Sequence, residues 1–358
     1  MKTNIFKKFG KIAITALFTL IVSAIGVSAA TFTVTNTNDS GAGSLRQAIA
    51  DAKAAAGADT IVFSSLFDSA QTITLASSIE NYNSPDPLTI TGPGANLLTV
   101  KGNDTFRIFT LFFQTTVTPT SEVSLSGMTI SNGRDTFFGG GAIFVQFGKV
   151  SLTNVIVTAN SGNNGGGVQL FNGSTLTAVN STFSNNTVTS GGGAINSIQS
   201  STINLTNTTV SGNMANDGGG ILASDNSIVT INGSTIANNS ATPGTGGGIA
   251  ISGATLNMTN TTVTGNSANE GGGGLYLNGT ATITNCNINN NRSAAGSTFG
   301  GLGGGAIAGA SVALTITGST INNNTSARIG GGISIFGNGV ATTNITDSTI
   351  SNNTVSGF

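Results

Sequence analysis

The stretch GGGILASDNSIVTINGSTIANN, residues 218–239, opens on three glycines and closes on an apolar residue followed three positions later by asparagine, Ile236 and Asn239. Both signatures recur along the chain. Gly triplets fall at Gly139, Gly165, Gly191, Gly218, Gly246, Gly272, Gly303 and Gly330, in steps of 26, 26, 27, 28, 26, 31 and 27 residues. About twenty residues after each comes the second signature: Val157/Asn160, Phe183/Asn186, Val210/Asn213, Ile236/Asn239, Val263/Asn266, Ile288/Asn291, Ile321/Asn324 and Ile350/Asn353. A degenerate copy spans Gly127 to Gly133. A fixed period of this length marks a repeat architecture, in which one unit cannot bury its apolar face alone.

Within each unit the apolar residues alternate, and nothing follows a helical period. Ile249/Ile251, Leu275/Leu277 and Ile333/Ile335 follow the triplets, and Leu256/Met258 and Leu314/Ile316 come about eight residues later. A third segment pairs a small residue with a larger one: Ser181/Phe183, Thr208/Val210, Ser234/Ile236, Thr261/Val263, Cys286/Ile288, Ser319/Ile321 and Ser348/Ile350. Period two means strands with one face buried. Three short strands per unit, separated by Gly- and Asn-rich bends, describe one coil of a parallel β-helix. Stacking places each strand about 4.8 Å from its copy, so backbone groups pair between coils. Right-handed connection between parallel strands sets the expected sense. The expected fold is all-β, a right-handed parallel β-helix of about nine or more three-stranded coils, a rod of roughly 40 Å.

The bends are expected to rest on Gly140, Gly192, Gly219, Gly247, Gly304 and Gly331, where φ is positive or a Cβ would clash between coils. Asn186, Asn213, Asn239, Asn266, Asn324 and Asn353 suit left-handed bends, and stacked amides can hydrogen-bond along the axis. Residues between the inward pairs point outward. Thr182, Thr209, Thr235, Thr262, Thr320 and Thr349 then form a hydroxylated ladder. β-propensity alone accounts for Thr there. The functional alternative is a regular surface for glycans or for ordered water, as in ice-binding solenoids.

Composition bounds the function. The chain has 358 residues, with 52 Gly, no His, no Trp, one Cys, 7% charged residues and a net charge of −1. No field exists to attract nucleic acid or an anionic membrane. With a single thiol, Cys286, no disulfide framework forms within the chain. Without His, no Ser–His or Cys–His nucleophile system can be built, and any metal ligands would be oxygens. No cofactor or metal is expected.

The N-terminus divides in two. Lys2, Lys7, Lys8 and Lys11, an apolar run from Ile12 to about Val27, and small residues around Ala29 read as a signal peptide over 1–30. Residues 31–87 carry no Gly triplet and read as a cap, with the β-helix from 88 to 358 and clear triplets from 139. In the cap, Ser44 and Gln47 fit a capping box, and Leu45, Ala48, Ile49 and Ala52 make one apolar helix face. Such a helix is placed to cover the open end of the rod. The sequence stops at Phe358 where the next triplet is due, so the chain is expected to be part of a longer protein, with membrane association only through a missing C-terminal anchor.

Two resemblances follow from these residues. Gly140 to Ile143, Gly192 to Ile195 and Gly304 to Ile307, with Phe183 to Asn186, resemble the polymorphic outer-membrane protein repeat, marked by Gly-Gly-Ala-Ile and Phe-x-x-Asn; other copies replace Phe by Val or Ile. The likeness covers residues 127–358. Asp39 to Ile49 with Gly57 to Phe63 resembles the CSLREA-type N-terminal segment of bacterial β-helix surface proteins, with Gly43 in place of its Cys and Gln47 in place of its Glu. Both imply a pectin-lyase-like β-helix at the bacterial cell surface. That coil hosts adhesins and polysaccharide enzymes alike.

Chemistry has few candidates. From Gly127 to Phe358 the acids are Asp135, Asp217, Asp225, Glu270 and Asp347, and the bases Arg134, Lys149, Arg292 and Arg328. Asp217 and Glu270 each directly precede a Gly run, which places them two coils apart at roughly 9.5 Å, near the upper limit of an inverting glycosidase pair. Solvated bend residues are the plainer account. The leading expectation is a non-enzymatic, exported stalk or adhesin with glycans or surface proteins as partners. It binds through its outer ladders and variable bends such as Arg292 to Leu302. A polysaccharide lyase or hydrolase using Asp217 and Glu270 is the alternative, and an ice- or glycan-binding Thr ladder a further one.

Overall fold

Alternation of inward apolar and outward polar residues builds a right-handed parallel β-helix, seen in a computed structural model that describes residues 28–113, 122–294, 303–337 and 341–357. The signal peptide expected at 1–30 lies, but for its last three residues, outside the described ones, as does most of the Arg292–Leu302 insertion. Among the described residues the strands form sheets of nineteen, eleven and nine members, and every strand pairing is parallel. Eleven strands in the second sheet mean eleven coils, a rod of roughly 50 Å at the usual strand spacing.

The coil holding residues 218–239 shows how one unit is made. Ile221–Ser224 and Ile228–Asn232 join the first sheet, and Thr235–Ala237 the second. A two-residue segment, Ser240–Ala241, joins the third. This fourth segment is an addition to the three strands the sequence pattern marks; two residues are too short to carry a period. Ile221, Ala223, Val229, Ile231 and Ile236 are fully buried. In register above them stand Ile249, Ile251, Leu256, Met258 and Val263. Like residues stack on like residues, and one continuous core runs the length of the rod.

The bends separate two demands on glycine. The positive-φ column runs through Gly140, Gly165, Gly192, Gly218, Gly246, Gly272, Gly304 and Gly330. Gly219, Gly247 and Gly331, expected in the same role, lie one residue later and do not take positive φ. Their need is space: a Cβ on Gly219 would overlap the carbonyl oxygen of Gly247 in the next coil. The recurrent Asn residues also move by one. Positive φ belongs to the residue before each, such as Asn185, Asn238, Asn323 and Asn352.

Asn160, Asn186, Asn213, Asn239, Asn266, Asn291, Asn324 and Asn353 instead point inward and stack. From Asn160 to Asn324, each Nδ2 donates to the Oδ1 of the Asn in the following coil at 2.8–3.0 Å. The backbone N–H of each donates to that same Oδ1. The second Nδ2 proton goes to a carbonyl of the preceding coil, as from Asn239 to Val210. All donors and acceptors of these buried amides are used, which is what makes their burial tolerable. A parallel hydroxyl column does similar work: the amides of Val155, Thr208 and Ser234 donate to the side chains of Ser181, Ser234 and Thr261. Cys286 continues this column, buried, with Sγ 3.2 Å from the Thr284 carbonyl. Burial pushes its thiol pKa up, although contacts from the Thr261 and Thr284 backbone oppose this.

Stacking starts before residue 88. Thr31–Val34 pairs with Asp59–Phe63, which pairs with Leu88–Thr91, and Gln71–Thr74 pairs with Leu98–Lys101. The segment over 31–87 is therefore partly solenoid, and the cap proper is the helix Leu45–Ala54 packed on the first two of these strands. It buries Leu45, Ala48, Ile49 and Ala52. Ser44 Oγ accepts from the Gln47 amide at 3.2 Å, but Gln47 donates onward to Asp51 instead of back to Ser44, so only half of the capping box forms. Arg46 holds the helix down, with Asp39 at 2.7 Å and the carbonyls of Ser77 and Ser78 at 2.8 and 2.6 Å.

Candidate ligand-binding faces

The second sheet sets Ile156, Thr182, Thr209, Thr235, Thr262, Asn287, Thr320 and Thr349 side by side in one outward column. Its strands are only three residues long, so this face is two columns wide, and Thr182, Thr209, Thr235, Thr262 and Thr320 are half-buried.

A broader array lies on the first sheet, on the five-residue strands. Thr202, Asn204 and Thr206 stand in register with Thr175, Thr177 and Val179 on one side and with Ile228, Thr230 and Asn232 on the other. The columns continue through Thr255, Asn257, Thr259 and Thr280, Thr282, Thr284. No charged residue interrupts these strands from Thr175 to Thr346. The period-two rule that assigns Leu256 and Met258 inward assigns Thr255, Asn257 and Thr259 outward, so the signal for this face was present in the sequence.

The two carboxylates do not share a column. Ile221 pairs with Ile249 and Ile249 with Leu275, and counting back four residues sets Asp217, Thr245 and Gly271 in one line. Glu270 falls one residue earlier, because its glycine run has four members rather than three. Asp217 Oδ1 accepts from the backbone N and the hydroxyl of Thr245 at 2.8 and 2.9 Å. It thus fastens the bend of the next coil. Burial and then the Asp217 charge push the Tyr276 phenol above its ordinary range. Among the described residues no group of three or more Asp, Glu, Cys or His side chains is placed to hold a metal ion.

A groove lies on the outer side of the strands that follow the triplets. Phe144, Gln169, Asn196 and Leu222 stand side by side across four coils and form its floor. Phe137, Phe138 and Asn164 overhang it from the bends, and Gln146 and Phe171 lie further along the strands. The cavity measures about 440 Å³. Sequence reading passed over it, since Phe137 and Phe138 fall in a bend outside the repeat pattern.

Residues 116–291 match the family model described as right handed beta helix region. No curated protein matches the chain. Two solved structures are similar to the chain. ORF18 of Geobacillus virus E2 superposes with a TM-score of 0.40 at 11% identity, over 88% of this chain and 60% of the viral one. A mannuronic acid specific polysaccharide family 6 lyase from human gut microbiota gives 0.30 at 8% identity, over 86% of this chain and 83% of the lyase. The chain thus spans about 60% of the length of the viral protein.

Proposed function

We propose that this chain is an exported, surface-displayed β-helix stalk or adhesin that binds glycans along its outer faces without cleaving them. The carrying observation is the uncharged, in-register array of mostly Thr and Asn on the first sheet, which offers hydroxyls and amides at one spacing over successive coils. Such a surface hydrogen-bonds to a repeating polyol with many weak contacts. The basic start and apolar run of residues 1–30 support export. The resemblance of residues 127–358 to polymorphic outer-membrane repeats supports display at the cell surface. The lyase or hydrolase alternative has less support, because Asp217 is engaged by Thr245 and Glu270 stands outside its column.

A glycan-array screen of the purified protein, with reducing-end release assayed on every hit, tests the reading. Binding without new reducing ends is the expected result. Release that disappears in Asp217→Asn would replace this reading with the enzymatic one.

A further inference from the structure

We infer that the groove beneath Phe137 and Phe138 is a binding subsite for an uncharged sugar; this rests on the glycan-binding reading above and gives it a place and a ligand class. Three observations converge there.

The first is the pair of aromatic side chains. Phe137 is 83% and Phe138 70% exposed, while the other phenylalanines among the described residues are mostly buried or half-buried. Exposed large apolar groups beside a concavity mark interaction sites. Their backbone is tied down. Asp135 Oδ1 accepts the backbone N–H groups of Phe137, Phe138 and Gly139 at 2.8–2.9 Å. Its other oxygen meets Arg107 at 2.7 Å, and Arg107 also donates to the carbonyls of Gly139 and Gly140. The guanidinium lies 4.6 Å from the centre of the Phe144 ring, and Phe138 leans on that ring at 6.3 Å. The backbone that carries the two rings is thus ordered before any ligand arrives.

The second observation is an unpartnered acceptor. Asn196 is 3% exposed and its Nδ2 donates to Gln169 Oε1 at 2.8 Å, but its Oδ1 has no hydrogen-bond donor. Gln169 Nε2 is already engaged with the Leu170 carbonyl. A buried carbonyl oxygen without a donor costs free energy, and a ligand hydroxyl at the groove floor would supply that donor.

The third is charge. No acidic or basic residue lines the groove. Arg107, which stacks on the Phe144 ring of its floor, is spent on Asp135 and on backbone carbonyls. A carboxylated or sulfated sugar would lose hydration without gaining an ionic partner. A neutral sugar ring presents C–H groups to the Phe faces and hydroxyls to Gln146, Asn164 and Asn196. The floor spans four coils, roughly 14 Å, and so admits a short oligosaccharide along the rod axis.

Isothermal titration of the full chain with neutral hexasaccharides of glucose, mannose and xylose, and with the acidic hexagalacturonate, tests this. The variants are Phe137→Ala/Phe138→Ala, whose side chains are exposed, Asn196→Ser, and Thr230→Val/Thr282→Val on the hydroxyl array. A neutral sugar binding the parent, weakened about tenfold or more by the double Phe change and by much less than that by the array change, is the expected result. Unchanged affinity in the double Phe variant, or preference for the acidic sugar, overturns the subsite while leaving glycan binding in place. Loss of binding in the array variant alone assigns the ligand to the array. No binding of any sugar by the parent overturns both readings.

Discussion

One asparagine side chain makes four hydrogen bonds in this protein, and removing it disturbs two coils. At Asn239, Nδ2 serves Val210 and Asn266, while Oδ1 receives the backbone N and side-chain Nδ2 of Asn213. Asn239→Ala leaves two buried donors of Asn213 and the Asn266 oxygen short of partners. The expected cost is about 2–4 kcal/mol, read as a fall in the urea midpoint. Asn239→Asp is expected to cost more, because it sets a carboxylate beside two acceptors in an apolar interior. Equal stability of Asn239→Ala and parent would sink this account of the column. The sequence announced the position but not its geometry. Asn favours both left-handed bends and stacked amides, and only backbone angles show that Asn238 takes the first role and Asn239 the second.

At the level of elements, the N-terminal helix and the strands beneath it respond to pH. Burial pushes the Tyr82 phenol up to about 12; a hydrogen bond with Ser84 opposes this, and the charges of Asp59 and Asp86 add to it. Its hydroxyl donates to the Asp86 carbonyl at 3.0 Å. The folded pKa exceeds the unfolded value near 10, so the unfolded chain releases this proton first. The Tyr82 contribution to stability is complete below pH 10 and is lost as pH rises toward about 12. Denaturant midpoints should therefore fall across that window, and more shallowly in Tyr82→Phe. A Tyr82→Phe profile parallel to the parent would refute it. On the acid side, partial burial acts to raise the Asp39 carboxyl, but the Arg46 hydrogen bond, the Ala76 amide and the Arg46 charge hold it below the usual carboxylate range. That contribution is present above the unfolded carboxylate pKa and fades as pH falls through the lower folded one. The helix was legible from Ser44 and its apolar face. Arg46 was not, because its partners at Ser77 and Ser78 are far along the chain.

Across the whole molecule, each coil touches only its neighbours, so a coil is a removable part. Deleting residues 267–291 joins Asn266 to Arg292, and Arg292 already pairs in register with Ser267. The shortened protein is expected to keep its strand content and to lose about 4.8 Å of length, read by circular dichroism and small-angle scattering. An unfolded product would show that coils depend on more than their neighbours. The rod was readable from the sequence because its period is written into every coil. The groove was not, because Phe137 and Phe138 fall in a bend outside the repeat and the column of Phe144, Gln169, Asn196 and Leu222 repeats no residue type.

The inward asparagines have one more property in common: all eight amides face the same way. From Asn186 to Asn353 each Oδ1 accepts from the Asn of the coil before, and from Asn160 to Asn324 each Nδ2 gives one proton to the coil after. Parallel sheets contribute little net dipole of their own. A file of aligned carboxamide dipoles in a dry core therefore adds head to tail, as peptide dipoles do in a helix. In a chain with a net charge of only −1, that file contributes an axial dipole, negative toward the capped end and positive toward the other.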